Sequence, residues 1–221
     1  MLRLPWILGL LAFAFVSGCG GGNGSTTPVQ TLKSASAPQQ PYTVPSKTLS
    51  ATYNGVTYTA TYSETPDNGT SMFNGRVANS SSVTITVSGN GQQLTFPSTE
   101  YYTLNPYSPL GLLETVSGTT YEFRIMTYNP LPATITVGDS GTLDSGNFYV
   151  QGNANPVGSL TETWTVAARD ASTVLFSVTG TGTLNGVAST STVNYSVDAN
   201  GNIAIVSVTV TLTGGGTLTF T

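Results

Sequence analysis

Ten carboxylates are the chain's main stock of side chains that could move a proton, and no histidine stands beside them. Paired carboxylates are then the remaining common route to acid–base chemistry, the route that glycoside hydrolysis takes. Glu64 and Asp67, Asp139 and Asp144, and Asp170 and Asp198 fall in segments that read as turns, where a solvated charge is the ordinary outcome. Glu114 and Glu122 read as strand residues, with nothing in the sequence to pair them in space. Glu162 stands apart. It shares strand parity with Leu160, Trp164 and Val166, so the pattern puts a carboxylate on an apolar face. Either it reaches solvent or Arg124 from a strand end, or it is a polar anchor in an apolar cavity walled by Trp164 and Phe176. Glu162, Trp164 and Phe176 are the candidate ligand-pocket residues. No catalytic residue is assigned.

Other chemistries fall away on composition. With no histidine and one cysteine there is no Cys/His zinc site and no internal disulfide framework. No metal site and no cofactor are expected. Gly138-Asp-Ser-Gly141 resembles the nucleophile motif of trypsin-like serine proteases, but that mechanism needs a histidine base. A lysine substitute is poorly placed, since Lys33 and Lys47 both precede the folded part. Two Gly/Asp/Ser turns, this one and Asp144-Ser-Gly146, account for the residues by backbone geometry. Asp198-Ala-Asn-Gly-Asn202 has the oxygens of a calcium loop but lacks its spacing and its distal acid, and reads as a hairpin turn. A net charge of −4 removes the basic footprint of a nucleic-acid binder.

The elements that position these residues begin with an addressing segment. Arg3 precedes an unbroken apolar run, Trp6–Val16. Eleven residues are too few for a membrane-spanning helix, which needs roughly 20, and match the core of a secretory signal peptide. Val16-Ser17-Gly18-Cys19 follows. It resembles the lipobox of bacterial prolipoproteins at all four positions. The resemblance implies a diacylglycerol on the Cys19 sulfur, cleavage after Gly18 and acylation of the new N-terminus. Two or more acyl chains anchor a protein stably where one does not. In such lipoproteins an Asp after the cysteine often retains the protein at the inner membrane, and Gly20 stands there instead. The resemblance therefore implies the outer membrane, with the membrane reached through the lipid anchor.

Residues 20–47 read as a flexible tether, Gly-rich at first and then punctuated by Pro28, Pro38, Pro41 and Pro45. Few of its side chains could form a core face. From Thr48 onward the period is two. Asn54-Gly55 suits a two-residue turn with both residues at positive φ, which sets Tyr53 opposite Val56, Ala51 opposite Tyr58 and Leu49 opposite Ala60. Asn90-Gly91 sets Val87 opposite Leu94 and Ile85 opposite Phe96. Asn200-Gly201 sets Val197 opposite Ala204, Tyr195 opposite Val206 and Val193 opposite Val208. A three-residue loop, Arg169-Asp-Ala171, sets Trp164 opposite Phe176. Further strands are expected near Tyr101 and over Tyr121–Tyr128, Ala133–Val137, Phe148–Gln151 and Leu218–Phe220.

No stretch after the signal shows a helical apolar stripe, so the fold class is all-β: antiparallel hairpins and a meander forming a sandwich or a barrel. The Pro-rich stretches at 105–111 and 129–132 divide a sandwich-like part, 48–130, from a meander, 131–221, unless 48–221 is one domain. A membrane-spanning barrel is disfavoured by the all-Ser/Thr polar face of the first hairpin. The ectodomain is similar to small Ser/Thr-rich lipoproteins, a likeness that carries no residue roles. The expected function is that of a membrane-anchored lipoprotein with a non-catalytic surface, adhesion or scaffold role. The alternative is a lipocalin-like carrier of a small apolar or lipid ligand, with a carbohydrate-active enzyme behind both.

Overall fold

The computed structural model describes residues 31–38, 47–53, 55–212 and 216–221, and among them there is no helix. Cys19 and the signal segment lie outside the described residues. The chain runs up and down as an antiparallel meander that curls into a nearly closed barrel. Its first half contains Lys47–Tyr53 (β2), Val56–Pro66 (β3), Ser71–Phe73 (β4), Arg76–Gly89 (β5), Gln92–Thr103 (β6), Ser108–Val116 (β7) and Thr119–Tyr128 (β8). The second half contains Thr134–Thr136 (β9), Ser140–Val150 (β10), Pro156–Ala168 (β11), Thr173–Leu184 (β12), Val187–Asp198 (β13), Ile203–Leu212 (β14) and Thr217–Phe220 (β15). Ser34–Ser36 (β1) precedes them. Twelve strands, β2, β3, β5 to β8 and β10 to β15, form one continuous sheet, with β4 folded onto β5 at its margin. Ser50 and Thr221 exchange two backbone hydrogen bonds of 2.9 Å each and join β2 to the C-terminal end of β15.

The hairpins at Asn54-Gly55 and Asn90-Gly91 have the expected registers, Tyr53 opposite Val56 and Ile85 opposite Phe96. Asn90 and Gly91 take φ of 51° and 70°, the positive values that such a turn requires. Two other hairpins differ. Asp170 accepts hydrogen bonds from the amides and hydroxyls of Ser172 and Thr173, which closes a longer loop. Trp164 therefore faces Val178 and Val166 faces Phe176, two residues away from the expected pairing but with the same parity. Asp198 organises the next loop by accepting from the amides of Asn200 and Asn202. Val197 then faces Ile203 and Tyr195 faces Ile205, and a bulge restores Val193 opposite Val208.

Part of the stretch read as a tether is ordered. β1 pairs with β9, Ala35 opposite Ile135. Leu32 N donates to Asp170 O and Ser36 N to Ala199 O, so the segment lies across the barrel end that carries the β11–β12 and β13–β14 loops. Ala35, Ala37 and Ile135 are buried there. Alternation of small apolar residues at 35 and 37 is too brief to stand out among the surrounding Ser, Pro and Gln. The two expected parts, 48–130 and 131–221, share the same sheet through the β8–β10 pairing.

Inward residues form two apolar clusters. The larger is built on Leu49, Val83, Ile85, Phe96, Trp164, Phe176, Tyr195 and Phe220. The smaller holds Leu112, Tyr121, Phe123, Phe148, Leu160 and Leu184. Outward rows are mostly hydroxyls paired across strands, as in Thr179 with Thr192 and Thr209 with Thr219, both at 3.0 Å. A lipid-facing barrel would carry an apolar band there.

Candidate functional site: a buried carboxylate band

Along three consecutive strands the two clusters are separated by positions that are polar or lack a side chain. On β11 the order is Leu160, Glu162, Trp164. On β12 it is Leu184, then Gly182 and Gly180, then Val178. On β10 it is Phe148, Gly146, Asp144. Ser191 and Ser189 on β13, and Ser98 and Glu100 on β6, continue the band around the wall.

A bulge turns Asp144 inward. Gly141 faces Trp164, and strict alternation would set residue 143 opposite Glu162. The register slips between Thr142 and Asp144, so Asp144 takes that place and both Leu143 and Asp144 are buried. A bulge re-aims a side chain in this way at the cost of one irregular pair. The segment read as a second turn, Asp144-Ser-Gly146, is therefore strand. Gly180 lies opposite Glu162, and a Cβ there would stand 3.6 Å from Glu162 Oε1 and 3.3 Å from Ser191 Oγ.

Glu114, Glu162 and Asp144 are only 2, 3 and 4% exposed. Glu114 Oε1, Asp144 Oδ1, Glu162 Oε1 and Ser98 Oγ are buried without a hydrogen-bond partner. Ser98 lies opposite Glu114 across the β6–β7 ladder. Burial pushes the Glu162 carboxyl well above the usual range, and the charges of Asp144 and Glu100 add to it. Burial also raises Asp144 to about 7, against a hydrogen bond with Glu162 that lowers it. The pair behaves as two like charges that share a proton. Glu100 keeps some accessible surface, yet desolvation, followed by the charge of Glu64, holds it well above its ordinary value. Its parity with Phe96 and Tyr102 points it inward. Glu114 is raised by burial alone.

Tyr62 extends the band to β3: its hydroxyl donates to Glu64 Oε2 at 2.9 Å. Burial and then the charges of Glu100 and Glu64 raise its pKa far above the ordinary tyrosine value. No Lys or Arg among the described residues is buried. Arg124 does not reach Glu162. Its Nε donates to Glu122 at 2.8 Å, and its guanidinium lies 4.1 Å from the centre of the Tyr149 ring.

A pocket of about 320 Å³ opens at the capped end between Ala37, Pro38, Tyr107, Tyr128 and residues 130–133. Tyr128, in its wall, lies opposite Asp144 in the β8–β10 ladder, and Asp144 raises its pKa after burial. The pocket and the band thus meet at Tyr128. Of the residues expected to line a cavity, Glu162 and Trp164 are neighbours on one face of β11. Phe176 touches Trp164 with ring centres 6.0 Å apart. Both aromatic residues belong to the packed larger cluster and not to the pocket wall. Glu100, Glu114 and Asp144 were not expected inside. Parity with Phe96 and Tyr102 was available for Glu100, whereas a bulge at Leu143 has no sequence signature.

Among the described residues, no group of three or more acids is spaced to hold a metal ion. Fold and site together define an antiparallel barrel with an internal belt of carboxylates. Compared with family models, with curated proteins and with solved structures, the chain matches none.

Proposed function

We propose that the protein is a non-catalytic binding barrel, held at a bacterial outer membrane through lipidated Cys19, that lodges a small ligand in its carboxylate band. One observation carries the binding reading: three buried acids from β7, β10 and β11 each keep an oxygen without a partner. A buried polar atom left unpaired costs about 1–3 kcal/mol. A barrel that served only as a scaffold would gain stability by replacing these acids with apolar residues. The pocket at Tyr128 is the approach to the band. The alternative, a surface or scaffold role without ligand, is favoured by the dense packing of Phe148, Tyr195 and Phe220, none of which is measurably exposed.

Native mass spectrometry of the mature protein isolated from its own host tests the two. A small molecule retained above the mass of the lipidated chain supports binding, and the lipidated chain alone supports the scaffold. Metabolic labelling with a fatty-acid analogue tests the anchor, with wild type marked and Cys19→Ser unmarked.

A further inference from the structure

We infer that the band receives an organic ammonium group, presented on a ligand with an apolar body. This rests on the binding reading above and names the chemistry of its ligand. The unpartnered atoms fall in two places, Asp144 Oδ1 and Glu162 Oε1 where β10 meets β11, and Glu114 Oε1 and Ser98 Oγ across the β6–β7 ladder. Three are carboxyl oxygens that burial holds above their ordinary pKa and that become pure acceptors only once ionised, and the fourth is a hydroxyl able to accept one. An ammonium group is the complement, because it brings donors and a positive charge and needs no acceptor of its own.

The described residues supply no such group to the band. Among the described residues Lys33, Lys47, Arg76 and Arg169 are exposed, and Arg124 is engaged with Glu122. Among the described residues no group of three or more acids is spaced to hold a metal ion. Trp164 stands two residues along β11 from Glu162 on the same face, its indole packed on Phe176 and over Gly141. The pocket beside Tyr128, walled by Ala37, Pro38, Leu131 and Ala133, suits a hydrocarbon body. An anionic or purely apolar ligand would leave the carboxyl oxygens as they are.

The test uses the mature lipidated protein in a non-ionic detergent, titrated with n-hexylammonium and, separately, with n-hexanol. Trp164 is the one tryptophan beyond residue 19, so its emission reports on the band. Hexylammonium is expected to shift that emission saturably, with affinity at least tenfold weaker in Glu162→Gln and unchanged in Glu122→Gln, which alters an acid outside the band. Titration calorimetry in two buffers of different ionisation heat gives a second reading should Glu162→Gln fold poorly. Ammonium entry among protonated carboxyls releases protons, and hexanol entry does not. Hexanol binding as tightly as hexylammonium, without proton release, overturns the ammonium inference and leaves the binding barrel standing. Saturable binding of neither, together with no co-purified molecule, overturns both.

Discussion

At Asp144 and Glu162 two acids face each other inside a wall that supplies no base. Both are held above their ordinary pKa values by burial, Asp144 at about 7. A folded state that binds more protons than the unfolded chain loses stability as pH rises. For Asp144 the loss begins near its unfolded value of 3.8 and is complete above about 7. Glu162, Glu100 and Glu114 act in the same direction. Asp170 opposes them only in stronger acid. Burial works against its charge, but hydrogen bonds from Ser172 and Thr173 outweigh this and bring it to about 2. Thermal melts followed by circular dichroism should therefore show a higher Tm at pH 5 than at pH 8, and Asp144→Asn should narrow the gap. An unchanged gap would remove Asp144 from the account. Trp164, at 7% exposure, packs on Phe176 within the larger cluster. Trp164→Ala should cost about 3–5 kcal/mol in denaturant unfolding, against about 1 kcal/mol or less for the neighbouring exposed Thr163→Ala.

Strand pairing shows where the sequence was legible and where it was not. Alternation together with Asn-Gly turns determined β2 with β3 and β5 with β6, because a two-residue turn leaves no freedom of register. Loops closed by an aspartate side chain were misjudged by two residues at Asp170, since hydroxyl and amide donors lengthen the turn without any glycine to mark it. Glu114 read as a strand residue, but the start of β7 was masked by prolines at 106 and 109, which belong to the turn and the first residues of the strand. Of the site, only Glu162 was legible. Its partner Asp144 depends on the bulge at Leu143, and the remaining acids come from strands far apart in the chain. The β8–β10 seam can be probed directly. A Cβ on Gly146 would lie 2.1 Å from Arg124 O, so Gly146→Ala must push the two strands apart. It should destabilise by about 1–3 kcal/mol as an overpacked site, with amide exchange accelerated first at Arg124 and Ile125. β1 carries a similar forecast. Ile135 is fully buried beneath it, so a chain beginning at Lys47 should melt lower than the mature protein. Equal melting temperatures would show that the cap adds nothing.

At the scale of the whole molecule, the described barrel strands are closed by a seam between distant ends of the chain, where Ser50 meets Thr221. If that seam is as firm as the hairpin ladders, the Ser50 and Thr221 amides should exchange as slowly as those in mid-sheet. Exchange at the rate of a free strand edge would mean that the barrel opens there. The wall itself has a further property. Only 16 of the 221 residues carry a formal charge, 10 acidic and 6 basic, and several of the acids point inward. Contact with water is left largely to hydroxyls that satisfy one another in rows, such as Thr211 with Thr217 at 2.8 Å and Thr209 with Thr219 at 3.0 Å. Such a surface projects almost no electric field. It meets other molecules without long-range guidance, at the roughly 10⁵–10⁶ M⁻¹s⁻¹ typical of unsteered encounter. Its arrivals should be as frequent in brine as in fresh water.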